Sequence, residues 1–115
     1  MKKVLFLLLV VFSSFYAKAM NTGSYYQISQ VYVWGDYTGG VIKILLKTPN
    51  QDTVSHCPAG FWIDDVNDKN ASVYSTALAA YHSNSKVRVY ADHNKDWSGL
   101  SSKECYIQLI ILEPK

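Results

Sequence analysis

Apolar and polar positions alternate over residues 25–34, where Tyr26, Ile28, Tyr32 and Trp34 share one face of an extended chain and Ser29, Val31 and Val33 the other. That period of two, carried by aromatic and β-branched residues, predicts a long first strand. Gly35-Asp36-Tyr37-Thr38-Gly39-Gly40 is a glycine-rich turn of hairpin length, and residues 41–47 are almost continuously apolar. The two segments read as an antiparallel hairpin. After a polar loop over 48–53, residues 57–63 supply a shorter third strand, and Pro58 places its start at an edge or a bulge. The polar run 64–70 offers several N-caps, Asn70 among them, and opens a helix over 71–83 with Val73, Ala77, Leu78 and Tyr81 as its apolar stripe. Ser83-Asn84-Ser85 ends it. Val87 and Val89 alternate with Arg88 and Tyr90 in a fourth strand over 86–92, a polar loop fills 93–104, and residues 105–112 form a last, nearly all-apolar strand. Strand, strand, strand, helix, strand, strand is the order of the OB-fold. The expectation is a mainly β protein: a five-stranded, partly open Greek-key barrel with one helix between the third and fourth strands, the alternative for the same order being a three-strand meander with a helix packed on one face.

The N-terminus changes the picture. Lys2 and Lys3 precede an apolar run over 4–11 and an Ala17-Lys18-Ala19 cleavage pattern, so residues 1–19 read as a secretory signal and 20–115 as one binding domain. No later stretch reaches the roughly 18 apolar residues of a spanning helix. The expected product is secreted or periplasmic, soluble, and without a membrane span. Loss of Lys2, Lys3 and Lys18 lowers the eleven basic residues to eight against nine acidic ones, so the net charge falls from +2 to −1. With no Lys/Arg cluster left, nucleic acid is not expected as a partner. Export also puts Cys57 and Cys105, the only two cysteines, in an oxidising compartment. One disulfide is expected, stabilising the fold by on the order of 3–5 kcal/mol through loop closure.

Candidate chemistry is sparse. His56, His82 and His93 are the only histidines, and no nucleophile elbow, zinc-binding His-Glu-x-x-His or phosphate-cradling loop accompanies them. Asp64 and Asp65 are adjacent and point apart on an extended chain, so they read as residues that start the helix; the acidic run lacks calcium-loop spacing. Neither enzyme, metal nor cofactor is expected. Aromatic residues carry more information, because Tyr and Trp present a flat apolar face with a polar edge, suited to sugar rings when Asp, Asn, Ser and Thr stand nearby for the hydroxyls. Two clusters qualify as ligand-binding: Tyr25-Tyr26 with Trp34, Asp36, Tyr37 and Thr38 across the first strand and its turn, and His93-Asn94-Lys95-Asp96-Trp97-Ser98, centred on Trp97, in the loop before the last strand.

Residues 27–47, the helix, and Ser83-Asn84-Ser85-Lys86-Val87-Arg88-Val89-Tyr90 with Trp97 seven residues on resemble the receptor-binding B subunits of subtilase-cytotoxin and pertussis-like (typhoid-type) toxins. They also resemble related small exported Gram-negative proteins of unassigned role. The resemblance implies an OB-fold that assembles as a homopentameric ring, binds cell-surface glycans, often sialylated, and carries an enzymatic A subunit. Tyr25-Tyr26 matches the tyrosine pair of the sialoglycan-binding members, with Gln27 where those have serine. The function expected is therefore a non-catalytic glycan-binding subunit; the alternative is an exported structural or inhibitory protein that binds a partner protein.

Overall fold

A computed structural model describes residues 19–36, 40–97 and 103–115; residues 1–18, all but the last of the expected signal, and Tyr37, Thr38 and Ser98 of the expected ligand clusters lie outside the described residues. The chain forms β1 (Ala19–Asn21), β2 (Tyr26–Trp34), β3 (Val41–Leu46), α1 (Gln51–His56), β4 (Phe61–Asp64), a 3-10 turn (Lys69–Ala71), α2 (Ser72–Ser83), β5 (Lys86–Asp92) and β6 (Cys105–Leu112). β2 pairs with β3 and β3 with β4, all antiparallel; β4 pairs in parallel with β6, β6 antiparallel with β5, and β5 returns to β2 through Tyr26↔Val87 and Gln27↔Lys86. The five strands thus close into a ring with α2 between its third and fourth members, as the sequence predicts. β1 continues β2 backwards along β5: Ala19 faces Asp92, the Thr22 N–H donates to the Val89 carbonyl at 3.0 Å, and the break at 22–25 separates the two pieces.

Ile28, Ile42, Ile44, Leu46, Phe61, Ile63, Val87, Val89, Ala91 and Ile107 fill the ring's interior. β3 reads as an unbroken apolar run because both of its faces are covered. Ile42, Ile44 and Leu46 point inward, whereas Val41 packs outside with Trp62 and Trp97, and Lys43 is buried on that outer face beside Glu104. Cys57 and Cys105 are joined, their Cα atoms 5.4 Å apart, and the bond ties the end of α1 to the first residue of β6.

The structure corrects several local expectations. Ile28 pairs with Leu46 but Gln30 with Leu45, so Ser29 is an extra residue, a bulge whose hydroxyl donates to the Leu45 carbonyl at 3.1 Å. A bulge reverses the alternation beyond it. Tyr26 and Ile28 therefore pack on the core with Val31, while Tyr32 and Trp34 stack on each other outside the barrel, ring centroids 5.6 Å apart. The third strand begins at Phe61, not at residue 57, because Gly60 turns the chain with φ 100° where a Cβ would stand 2.5 Å from the Ile44 carbonyl oxygen. The loop 48–53 contains the start of α1, whose first turn is capped by the Asn50 side chain accepting the Thr53 N–H at 2.9 Å.

α2 buries Ala77 and Ala80, with Val73 and Tyr74 packed against the core, and leaves Tyr81 42% exposed. Its inner stripe is thus displaced from the expected one, taking in Tyr74 and Ala80 and leaving out Tyr81. Asp68, not Asn70, caps the helix. Its carboxylate accepts the N–H groups of Val73 at 2.8 Å and Tyr74 at 3.0 Å and the Ser72 hydroxyl at 3.3 Å, reaching over a turn in which Asn70 and Ala71 are left-handed. Asn84, also left-handed, ends it, and the Ser85 N–H donates to the Ala80 carbonyl at 3.0 Å. Among the described residues no helix is long and apolar enough to cross a membrane.

Candidate functional site

Where the β2–β3 hairpin turns, β4 ends and α2 begins, the surface closes around a cavity of about 260 Å³. Strand pairing builds it: Val41 opposite Asp64 sets the acidic end of β4 beside the base of the hairpin, and the Asp65 N–H donates to the Gly40 carbonyl at 2.9 Å. Gly40, at φ 106°, lets the two chains approach closely, since a Cβ there would lie 3.4 Å from that of Asp65. Val33, Val41, Ile42 and Ile63 supply apolar wall, Trp34 and Tyr74 aromatic wall, and Asp64, Asp65 and Asp68 carboxylates.

Among the described residues, no lysine, arginine or histidine borders this cavity. The ion pairs among the described residues, Lys43–Glu104 and His56–Asp52, lie elsewhere. Asp68 is spent on the amides of α2, and Asp64 accepts both Asn67 amide contacts, at 2.8 and 3.0 Å. Asp65 is exposed, and among the described residues its carboxylate takes no hydrogen bond or ion pair. The negative field reaches beyond the rim: burial, and after it the charges of Asp64 and Asp68, push the Tyr106 phenol above its ordinary pKa. Apolar and aromatic walls with uncompensated acceptors at one side suit a ligand that offers a ring face and donors. Among the described residues no group of three or more His, Cys, Asp or Glu is placed to hold a metal ion.

The residues expected to bind ligand from sequence are not brought together. Tyr25 and Tyr26 sit at the start of β2, half-buried, beside a separate cleft of about 350 Å³ shared with Gln27, Lys47, Thr48 and Lys86. Asp36 lies past the other end of β2, exposed and next to the cavity residue Gly35; Tyr37 and Thr38 lie outside the described residues. Eight strand steps from Tyr26 to Trp34, at about 3.3 Å each, put roughly 26 Å between these two ends. The cleft has a feature of its own, for Thr48 holds φ at 45°, an uncommon conformation for a β-branched residue.

Trp97 is not a surface contact. It is 5% exposed, edge-on to Trp34 with centroids 4.7 Å apart and near Trp62 at 6.4 Å. The segment carrying it is strapped to the outside of the barrel: the Trp62 indole N–H donates to the Lys95 carbonyl at 3.0 Å, Lys95 Nζ stands 3.9 Å from the Tyr106 ring centre, and Asp96 accepts the Glu104 N–H at 2.9 Å. Reading the loop as a second ligand site overlooked that β2, β4 and β6 each present an aromatic residue on this face. Tyr74 and the Asp64–Asp65 pair went unrecognised because their partner is a hairpin more than twenty residues upstream, joined only by the β3–β4 register.

No protein-family model matches this chain, and neither a curated protein nor a solved structure matches it.

Proposed function

We propose that the protein is an exported, non-catalytic glycan-binding subunit whose sugar site is the hairpin-end cavity. The observation that carries the reading is that Trp34 and Tyr74 line one concave space with Asp64 and Asp65, whose oxygens are not engaged by any cation. A pyranose lays its C–H face on an aromatic wall while its hydroxyls donate to the carboxylates. The Cys57–Cys105 bond supports export. Assembly into a ring that carries an enzymatic chain, as the resemblance to toxin B subunits implies, belongs to the same proposal, and light scattering on the purified protein tests it; a monomer at micromolar concentration removes that part.

A glycan array probed with the wild type and with Asp65→Asn tests the site. Losing one charge-assisted hydrogen bond costs about 1–3 kcal/mol, so the variant is expected to bind about five- to a hundredfold more weakly with its melting temperature unchanged. An array without hits, or a variant that binds as the wild type does, sinks the reading and favours a protein partner.

A further inference from the structure

Charge decides which sugars such a cavity accepts. Asp64, Asp65 and Asp68 border it, and no cationic residue does among the described residues. Asp68 is committed to the first amides of α2 and Asp64 to the Asn67 amide, so Asp65 is the carboxylate without a hydrogen-bond partner among the described residues, with the Asp64 charge beside it. A ligand carboxylate placed there would meet two like charges against the apolar walls of Val33, Val41, Ile42 and Ile63, where repulsion is screened less than in water. A ligand ammonium would meet the opposite, attraction from the Asp64 and Asp65 charges, in a cavity that Trp34 and Tyr74 also line. The raised pKa of the neighbouring Tyr106 phenol has the same origin in part, since the charges of Asp64 and Asp68 add to its burial.

We infer that the hairpin-end cavity selects an amino sugar, a hexosamine residue with a free ammonium group, over acidic and N-acetylated sugars. The inference rests on the glycan reading above and names the class of sugar. It runs against the sialylated ligand that the resemblance implies. Lysines border the cleft at the far end of β2 instead, where Lys47 and Lys86 stand beside Tyr25 and Tyr26.

The experiment titrates the purified protein with three trisaccharides of similar size: the β-1,4-glucosamine trimer, its fully N-acetylated form, and the galacturonate trimer. Calorimetry gives affinity, and indole and phenol side-chain NMR signals report whether Trp34 and Tyr74 sense the ligand. The expected result is that the free-amine trimer binds at least about tenfold more tightly than the acetylated one and perturbs Trp34 and Tyr74. Its affinity should fall as salt is raised from about 0.05 to 0.5 M. Asp65→Asn should weaken the free-amine trimer about tenfold and the acetylated trimer by a smaller factor, so that most of the preference is lost. Asp64→Asn is the second variant, and thermal melts confirm that both fold. Equal or tighter binding of the acetylated or acidic trimer in the cavity overturns the amino-sugar inference and leaves the glycan reading standing. Spermidine binding there as tightly as the free-amine trimer overturns it too, because the sugar ring would then contribute nothing. If none of the trimers perturbs Trp34 or Tyr74 and the array is also blank, the glycan reading itself is lost, and the inference with it.

Discussion

Glu104 is wholly buried, its carboxylate Oε2 3.3 Å from Lys43 Nζ and its Oε1 without a hydrogen-bond partner. Burial pushes its carboxyl above the ordinary value of 4.5, Lys43 pulls it back, and Asp96 adds to the rise. A carboxyl whose pKa is higher folded than unfolded binds its proton more tightly in the folded state, so its contribution to stability is full below the unfolded pKa and is lost as pH rises through the folded one. Urea unfolding between pH 4.5 and 7 is therefore expected to show wild-type stability falling more steeply with rising pH than that of Glu104→Gln; parallel curves would mean that Glu104 titrates alike in both states. Asp68 is the second residue with a calculable role. Asp68→Ala removes the acceptor for the Val73 and Tyr74 amides and should cost about 1–2 kcal/mol, whereas Asp68→Asn, which keeps one acceptor oxygen, should recover part of it in the same measurement.

At the scale of elements, the ring has two short seams, β2–β5 and the parallel β4–β6, each paired through two residues of either strand. β4 and β6 pair only through Phe61↔Cys105 and Trp62↔Tyr106, and the disulfide lies directly beside that pairing. Replacing Cys57 and Cys105 together by alanine is expected to cost about 2–5 kcal/mol. Hydrogen exchange should then quicken first at position 105, whose N–H in the wild type donates to the Gly60 carbonyl at 3.0 Å, and later at the long β2–β3 ladder; uniform acceleration over the whole sheet would show that the seam is not a local weak point. Sequence periodicity located β2, β3, β5, β6 and the long helix because each carries many apolar residues at one spacing. It missed α1 because Gln51–His56 has only Val54 as a large apolar residue and exposes it, so no stripe exists to detect. It misassigned the faces of β2 because nothing about Ser29 marks it as a bulge: that property belongs to its pairing with Leu45 and Leu46, not to the residue. The cavity was legible only in halves, as aromatics beside Asp36 and as an acidic run after Ile63, since the register that joins them is a product of folding.

Across the whole molecule, a domain of nearly balanced charge holds two concave surfaces of opposite sign. The cavity has Asp64, Asp65 and Asp68 without a cation, and the Tyr25–Tyr26 cleft has Lys47 and Lys86 without a carboxylate. Net charge therefore says little about what either surface attracts, and only the field within a Debye length of the ligand decides. That length is about 8 Å at physiological salt, and the two ends of β2 stand roughly 26 Å apart. Substitutions at one end should then leave the other untouched, because the charges are screened from each other and share no contacting residue. Lys47→Glu with Lys86→Glu, a change of four charge units in the cleft, is expected to alter the affinity of the cavity for the glucosamine trimer by less than about twofold at 0.15 M salt. Asp65→Asn, a change of one unit, should lower it by about tenfold. Calorimetric titration of both variants decides between two separate surfaces and a single extended one: if reversing the lysines weakens trimer binding as much as Asp65→Asn does, one ligand spans β2 from Tyr26 to Trp34, and the residues the sequence grouped together act as a single site after all.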